Sequence, residues 1–278
     1  MKFSKMHGAG NDYIYVNCFE EKIENPEELS IWMSHRNFGI GSDGLILIMP
    51  SDKADFRMRM FNNDGSEGKM CGNGTRCVGK YVYDHGLTDK EEITLETLGG
   101  IKILKLNVVN GKVATVVVDM GKAILDSELI PVVAEEKQVV NKGILVGDQV
   151  YNITCVSMGN PHAVTFVKSV KELNLPVIGP SFEHHDMFPE RVNTEFVEIV
   201  DSNNIKMRVW ERGSGETLAC GTGACASVVA CVLNGYCEYD TPINVELLGG
   251  VLQITYQKNG TVIMCGPATH VFDGEIHI

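Results

Sequence analysis

A chain of 278 residues with 44% hydrophobic side chains has enough apolar mass to fill two cores, and no apolar run reaches transmembrane length, which excludes a helical membrane protein. The formal net charge of −12, with no basic stretch to offset it, repels phosphate backbones and argues against a nucleic-acid partner. Nine cysteines cannot all pair, and none shows the C-x2-C spacing of a zinc site, so they read as free thiols in a reducing cytoplasm with no structural metal.

Along the chain, Met1 to Asn11 leads directly into the first motif, Gly10-Asn11, and leaves no room for a secretory leader. Gly39-Ile40-Gly41-Ser42-Asp43-Gly44 fits the dinucleotide fingerprint G-x-G-x-x-G. That fingerprint must follow a strand and open a helix, whereas here an apolar strand-like run, Leu45 to Met49, comes after it, so nucleotide binding is rejected. Arg57 to Phe61 is the next strand. Cys71-Gly72-Asn73-Gly74 then opens a helix that ends at Gly86, in the usual C-terminal glycine position. Strands follow at Ile93 to Leu98, Ile101 to Leu106 and Val113 to Asp119, punctuated by Gly99-Gly100 and Asn110-Gly111 turns. The stretch from Pro131 to Asn141 is the expected interdomain neighbourhood. Lys206 to Trp210 is a strand, and Cys220-Gly221-Thr222-Gly223 opens a second helix ending at Gly235. Its body, Ala224 to Leu233, is apolar all round and therefore buried. Val251 to Tyr256 and Val262 to Cys265 complete the strand pattern.

The second half repeats the first at an offset of 149 residues. Gly10-Asn11 maps onto Gly159-Asn160, Met58-Arg59 onto Met207-Arg208, Cys71-Gly72 onto Cys220-Gly221, Gly86 onto Gly235, and Asn110-Gly111 onto Asn259-Gly260. Such a period is one domain long, so two domains of similar size are expected. The fold class is α+β: two pseudo-symmetric domains, each a curved, antiparallel-rich sheet or barrel wrapped around a central helix, with a cysteine at each helix start.

A cysteine at a helix N-terminus sits beside unsatisfied N–H groups and the positive end of the dipole, which favour its thiolate. The same amides receive a carboxylate. If the pseudo-twofold brings the two helix starts face to face, one thiolate removes an α-proton and the opposite thiol returns one to the other face, which inverts a stereocentre. Both helix ends then stabilise the carbanion. Buried packing explains Cys77, Cys225, Cys231 and Cys237, but not the recurrence of cysteine and glycines in step at Cys71 and Cys220.

Met70-Cys71-Gly72-Asn73-Gly74-Thr75-Arg76-Cys77, preceded by Phe61-Asn62-Asn63-Asp64-Gly65-Ser66-Glu67, resembles diaminopimelate epimerases. So do Gly159-Asn160-Pro161-His162, Val192-Asn193-Thr194-Glu195, Trp210-Glu211-Arg212-Gly213-Ser214-Gly215-Glu216-Thr217, Ala219-Cys220-Gly221-Thr222-Gly223 and Gly266-Pro267-Ala268-Thr269-His270. The resemblance runs from His7 to the C-terminus. It implies a cofactor-free epimerase that interconverts LL- and meso-2,6-diaminopimelate in lysine and peptidoglycan precursor synthesis. By the same resemblance Cys71 and Cys220 are the proton donor and acceptor. Gly72, Asn73, Gly221 and Thr222 cradle the reacting carboxylate, Asn11, Asn62, Asn160, Asn193, Glu211 and Arg212 line the substrate, and His162 and Glu211 tune the thiols. The final strand is expected to return to the first domain, giving domains 1–120 plus 266–278 and 121–265, and Phe272 matches a position of dimer contacts, so a homodimer is expected.

Each role has a plainer alternative: a turn for Asn11 and Asn160, a turn cap for His162, a solvated ion pair for Glu211-Arg212. Gly44 departs from the family pattern, in which some members carry a substrate-contacting Gln, and the repeat sets Gly44 opposite Asn193. A proline or hydroxyproline racemase and a non-catalytic amino-acid binder remain as competing readings.

Overall fold

The computed structural model describes residues 1–277, and among them there are 18 strands and four helices. In chain order they are β1 (Lys2–Gly8), β2 (Asn11–Asn17), α1 (Pro26–Ser34), β3 (Gly44–Met49), β4 (Phe56–Asn62), β5 (Glu67–Gly68), α2 (Gly72–Asp84), β6 (Glu92–Thr97), β7 (Gly100–Val109) and β8 (Lys112–Lys122). Then follow β9 (Lys142–Val146), β10 (Gln149–Ser157), β11 (Pro161–Phe166), α3 (Leu175–Glu183), β12 (Asn193–Asp201), β13 (Asn204–Glu211), β14 (Gly215–Glu216), α4 (Gly221–Leu233), β15 (Ile243–Leu247), β16 (Gly250–Tyr256), β17 (Thr261–Pro267) and β18 (Thr269–Glu275). Two compact units divide them: Met1–Asp119 with Cys265–Ile278, and Met120–Met264.

In the first unit β18 and β2 flank β1 as antiparallel partners. From β2 the sheet continues through a parallel pairing with β3, an antiparallel one with β4, a parallel one with β6, and antiparallel steps to β7 and β8. The second unit repeats this sequence of pairings. β9 and β11 flank β10, then β12 joins in parallel, β13 antiparallel, β15 in parallel and β16 antiparallel. The duplication therefore extends from motifs to strand directions. Helices α2 and α4 match at the 149-residue offset to the residue, and so do α1 and α3, which sequence reading missed.

Each central helix is enclosed by its own sheet. α2 packs on β1, β2, β7 and β18, and α4 on β10 to β13, β15 and β16. α4 buries every residue from Ala224 to Val232, as its all-round apolar sequence requires. The glycine stops also form: Gly86 and Gly235 take φ of 72° and 76°, and Gly86 N–H and Leu87 N–H bond back to Tyr83 and Val82 carbonyls at 3.0 and 2.9 Å. Asn110 and Gly111, both at positive φ, make the tight turn between β7 and β8.

Pro131–Asn141 is not a linker. Ile130, Val132 and Val139 belong to the core cluster of the second unit, beside Phe182 and Phe196, because apolar side chains at these spacings have a sheet face to cover. The Gly39–Gly44 run turns the chain from α1 into β3, and Gly39 lies against the Trp32 and Met33 carbonyls, where no Cβ fits. Those glycines serve packing.

Candidate active site

The first unit builds its site around the start of α2. Cys71 is the N-cap, in extended conformation, and its Sγ accepts from Gly74 N–H at 3.4 Å. β2 delivers Asn11, whose Oδ1 receives the Cys71 thiol at 3.4 Å and the Asn73 amide at 3.2 Å. Asn11 is itself held by Asp43, Nδ2 to Oδ2 at 2.8 Å. Asn62, at the end of β4, donates to Ser66 Oγ at 2.9 Å. Arg76, one turn into α2 and fully buried, reaches Asn73 Oδ1 at 2.9 Å and the carbonyls of Gly72 and Pro267 at 3.2 Å.

The second unit repeats this frame with more charge. Cys220 caps α4, its Sγ accepting from Gly223 N–H at 3.4 Å, with Thr222 Oγ1 at 3.5 Å. His162 on β11 is fully buried: Nδ1 bonds Glu195 Oε1 at 2.7 Å and Nε2 faces Asn160 Oδ1 at 3.0 Å. Asn193 donates to the Pro161 carbonyl at 2.8 Å and accepts the Arg212 backbone N–H at 3.0 Å. Glu211 accepts from the Thr217 hydroxyl. The exposed Arg212 guanidinium rests on the Glu190 carbonyl at 2.9 Å. Asn11 and Asn73 thus gather at Cys71, and Thr222 at Cys220, while Asn160 and Glu211 join His162 and Glu195 in the same unit.

The helix-start N–H groups act toward the thiolate at both cysteines, as expected, but burial outweighs them. Burial pushes the Cys71 thiol up, and the Gly74 and Asn73 N–H groups, the Tyr13 hydroxyl and the Arg76 guanidinium only partly offset it. Cys220 lies further above the ordinary thiol range, through burial first and then the Glu211 and Glu195 carboxylates. Glu211 is also raised, by burial, against hydrogen bonds from Thr217 and Cys220 and the nearby His162. Desolvation outweighs one helix terminus here.

Gly44 pairs with Tyr13 across β2 and β3, as Asn193 pairs with His162 across β11 and β12. A Cβ at Gly44 would clash with the Phe61 carbonyl oxygen and come within 2.8 Å of the Tyr13 ring. The first unit therefore has no room for any side chain at this position. Tyr13 escaped sequence reading, Asp43 was read only within the rejected glycine-rich run, and Arg76 and Glu195 were quoted in motifs without a role. Comparison of the two halves position by position could have found Glu195, since the offset sets it against Ile46.

Among the described residues, one His/Asp group has ligand atoms within 4.8 Å of one another: His85, His270 and Asp273. His85 caps the C-terminus of α2, fourteen residues and about 21 Å from Cys71 at the other end.

A profile of the diaminopimelate epimerase family matches residues 3–125 and 154–271. The chain belongs to the diaminopimelate epimerase family. It is 59% identical to a diaminopimelate epimerase of Methanococcus maripaludis strain C5 over the whole of both chains, and 58% identical to one of Acetivibrio thermocellus over all of this chain and 99% of the other. Among solved structures it is similar to a phenazine biosynthesis protein of the PhzF family from Bacillus anthracis, with a TM-score of 0.71 at 17% identity, covering 100% of this chain and 99% of that one. It is also similar to a hydroxyproline epimerase from Agrobacterium vitis, with a TM-score of 0.69 at 14% identity, covering 99% and 90%. At such identities these two likenesses establish the shared fold that the duplicated sequence led us to expect.

Proposed function

We propose that this chain is an isomerase that interconverts LL- and meso-2,6-diaminopimelate without a cofactor, using Cys71 and Cys220 as its two proton-transfer groups. The observation that carries this reading is the thiol-capped, glycine-opened helix start that recurs in both units. One thiolate takes the α-proton, forming an S–H bond while the C–H electron pair stays on carbon as a carbanion. The other thiol then gives its proton to the opposite face, so the two sulfurs exchange protonation states in each turnover. The first-turn amides of Gly72, Asn73, Gly221 and Thr222 cradle the α-carboxylate and stabilise its growing charge. Full-length identity of 58–59% to curated diaminopimelate epimerases supports the substrate.

Incubation with LL-diaminopimelate in deuterated water tests the reading: we expect meso product carrying one α-deuterium. A protein that binds the amino acid and exchanges nothing would be a carrier, and racemised proline would indicate the other branch of the fold. Dialysis against chelator and treatment with hydroxylamine should leave activity intact; a loss restored by added metal or pyridoxal phosphate overturns the cofactor-free mechanism.

Specificity is assigned to the distal end of the substrate, where Arg212, whose backbone N–H is held by Asn193, offers a planar fork to a carboxylate. Arg212→Lys keeps the charge and loses the fork, and should lower kcat/KM by roughly 2–4 kcal/mol of transition-state binding. Lysine and 2-aminopimelate, each lacking one distal group, should hardly react. Efficient turnover of either would overturn the diaminopimelate assignment while leaving the two-thiol mechanism standing.

The active form is proposed to be a homodimer that uses Phe272, 44% exposed and edge-on to Phe3 at 6.0 Å, beside the exposed Val271. Phe272→Ala should shift sedimentation toward the monomer. All nine cysteines are free thiols, which fits a reducing cytoplasm.

A further inference from the structure

The two thiols occupy equivalent frames furnished with opposite charge. Gly74 and Gly223 stand at the same step of the two helix starts, and each closely faces a side chain from the equivalent strand. A Cβ at Gly74 would sit 2.5 Å from Ile46 Cδ1, and one at Gly223 would sit 2.5 Å from Glu195 Oε1. One position thus holds a methyl in the first unit and a carboxylate in the second. Its neighbours diverge in the same sense. Tyr13 corresponds to His162, Asn62 to Glu211, and Arg76 to Cys225.

Cys220 consequently faces Glu195 from β12, Glu211 from β13 and, behind them, His162 from β11, with Thr222 on its own helix. Cys71 faces the neutral Asn11, Tyr13 and Tyr15 from β2, Cys77 and the cationic Arg76 from α2, and Asp43 lies behind Asn11 and Tyr13. Glu195 is fully buried and anchored by its 2.7 Å bond to His162, and its Oε2 has no hydrogen-bond partner. A buried carboxylate in that state exerts a field that water does not screen.

We infer that Glu195, together with Glu211, makes the two halves chemically unequal: seated under the first turn of α4, Glu195 helps hold Cys220 as the proton-donor thiol and leave Cys71 as the base. This rests on the two-thiol epimerase reading and deepens it by assigning resting protonation states. Glu195 is a positioning residue, since it acts through charge and through His162 without touching substrate. The resting enzyme then accepts first the stereoisomer whose α-hydrogen faces Cys71. After one turnover the negative charge lies on Cys220, against two carboxylates, so that state is the less stable of the two and proton return to Cys220 is favoured.

The test is peptide-resolved labelling of Cys71 and Cys220 by iodoacetamide across pH. The midpoint of each profile reports ionisation, separately from the plateau rate that accessibility sets. In the wild type the Cys220 midpoint should lie above that of Cys71. Glu195→Gln retains the acceptor for His162 and removes the charge, and should bring the Cys220 midpoint down by about one pH unit while Cys71 stays in place. Glu195→Ile copies the first unit and should act in the same direction, which provides the comparison if the glutamine variant melts early. Equal midpoints in the wild type, or a Cys220 midpoint that stays or rises in both variants, overturn the inference. Labelling needs no turnover, so a failure of the epimerase assignment would be seen separately, as absence of deuterium exchange from the wild type.

Discussion

Cys220→Ser should fold as well as the native protein and lose epimerisation by about 10²–10⁴-fold, the range for removing a positioned proton-transfer group. The two effects separate because the cysteine has two jobs. As N-cap it accepts the Gly223 N–H at 3.4 Å, and a serine hydroxyl is a preferred acceptor at that position. As an acid–base group it needs an ionisable proton, which a hydroxyl does not release near neutral pH. Thermal melting and kcat/KM measured on one preparation distinguish the roles. Cys71→Ser should behave alike, since Cys71 makes the equivalent cap to Gly74. The double variant should fall little further than either single one, because both thiols serve one proton exchange. Retention of activity within tenfold of the native level, or a melting point that collapses together with activity, would contradict the assignment.

Gly44→Ala should destabilise the first unit by about 3 kcal/mol, at the upper end of overpacking costs. The obstacle is backbone: the new methyl meets the Phe61 carbonyl oxygen, and β3 is held in register to β4 from Gly44–Asn62 to Met49–Arg57, so neither strand can move alone. Gly44→Gln should be at least as damaging and should bring no gain in KM. Urea unfolding measures the loss, and an unchanged midpoint would show that β3 and β4 separate more easily than their pairing implies.

Turn and cap chemistry was legible in the sequence because each signal is local. The cysteine-glycine helix starts, the Gly86 and Gly235 stops and the Asn110-Gly111 turn are set by residues within a few positions. α1 and α3 were not legible. Each spans nine residues with proline in the first turn, and α3 also contains Gly179 and Pro180, so its composition reads as loop. What makes α3 a helix is distant: Gly179 lies flat against the Trp210 ring, and Phe182 packs edge-on to Phe196. At the site, the cysteines, Asn11 and His162 could be read from motifs. The sign of the thiol shifts could not, because it depends on burial at both cysteines and, at Cys220, on the carboxylates of Glu211 and then Glu195, brought in from two different strands. Glu195 lies in Asn-Thr-Glu-Phe-Val-Glu, where three polar residues in a row give no sign of burial. In the fold that stretch from Asn193 to Val197 is wholly buried.

The pairing of β1 with β18 has a consequence for biosynthesis. Lys2 lies opposite Glu275, and the Met1 amino group meets the Ile276 carbonyl at 2.6 Å, so β1 waits for a strand that is made only after the whole second unit. Met120–Met264 is continuous and can close while the chain is still emerging from the ribosome. The segment that carries Cys71 cannot, and until β18 is made it presents β1 with one unpaired edge. Contacts of such long sequence separation are slow to form. The amino-terminal half, although translated first, therefore matures second, and aggregation during expression should originate there.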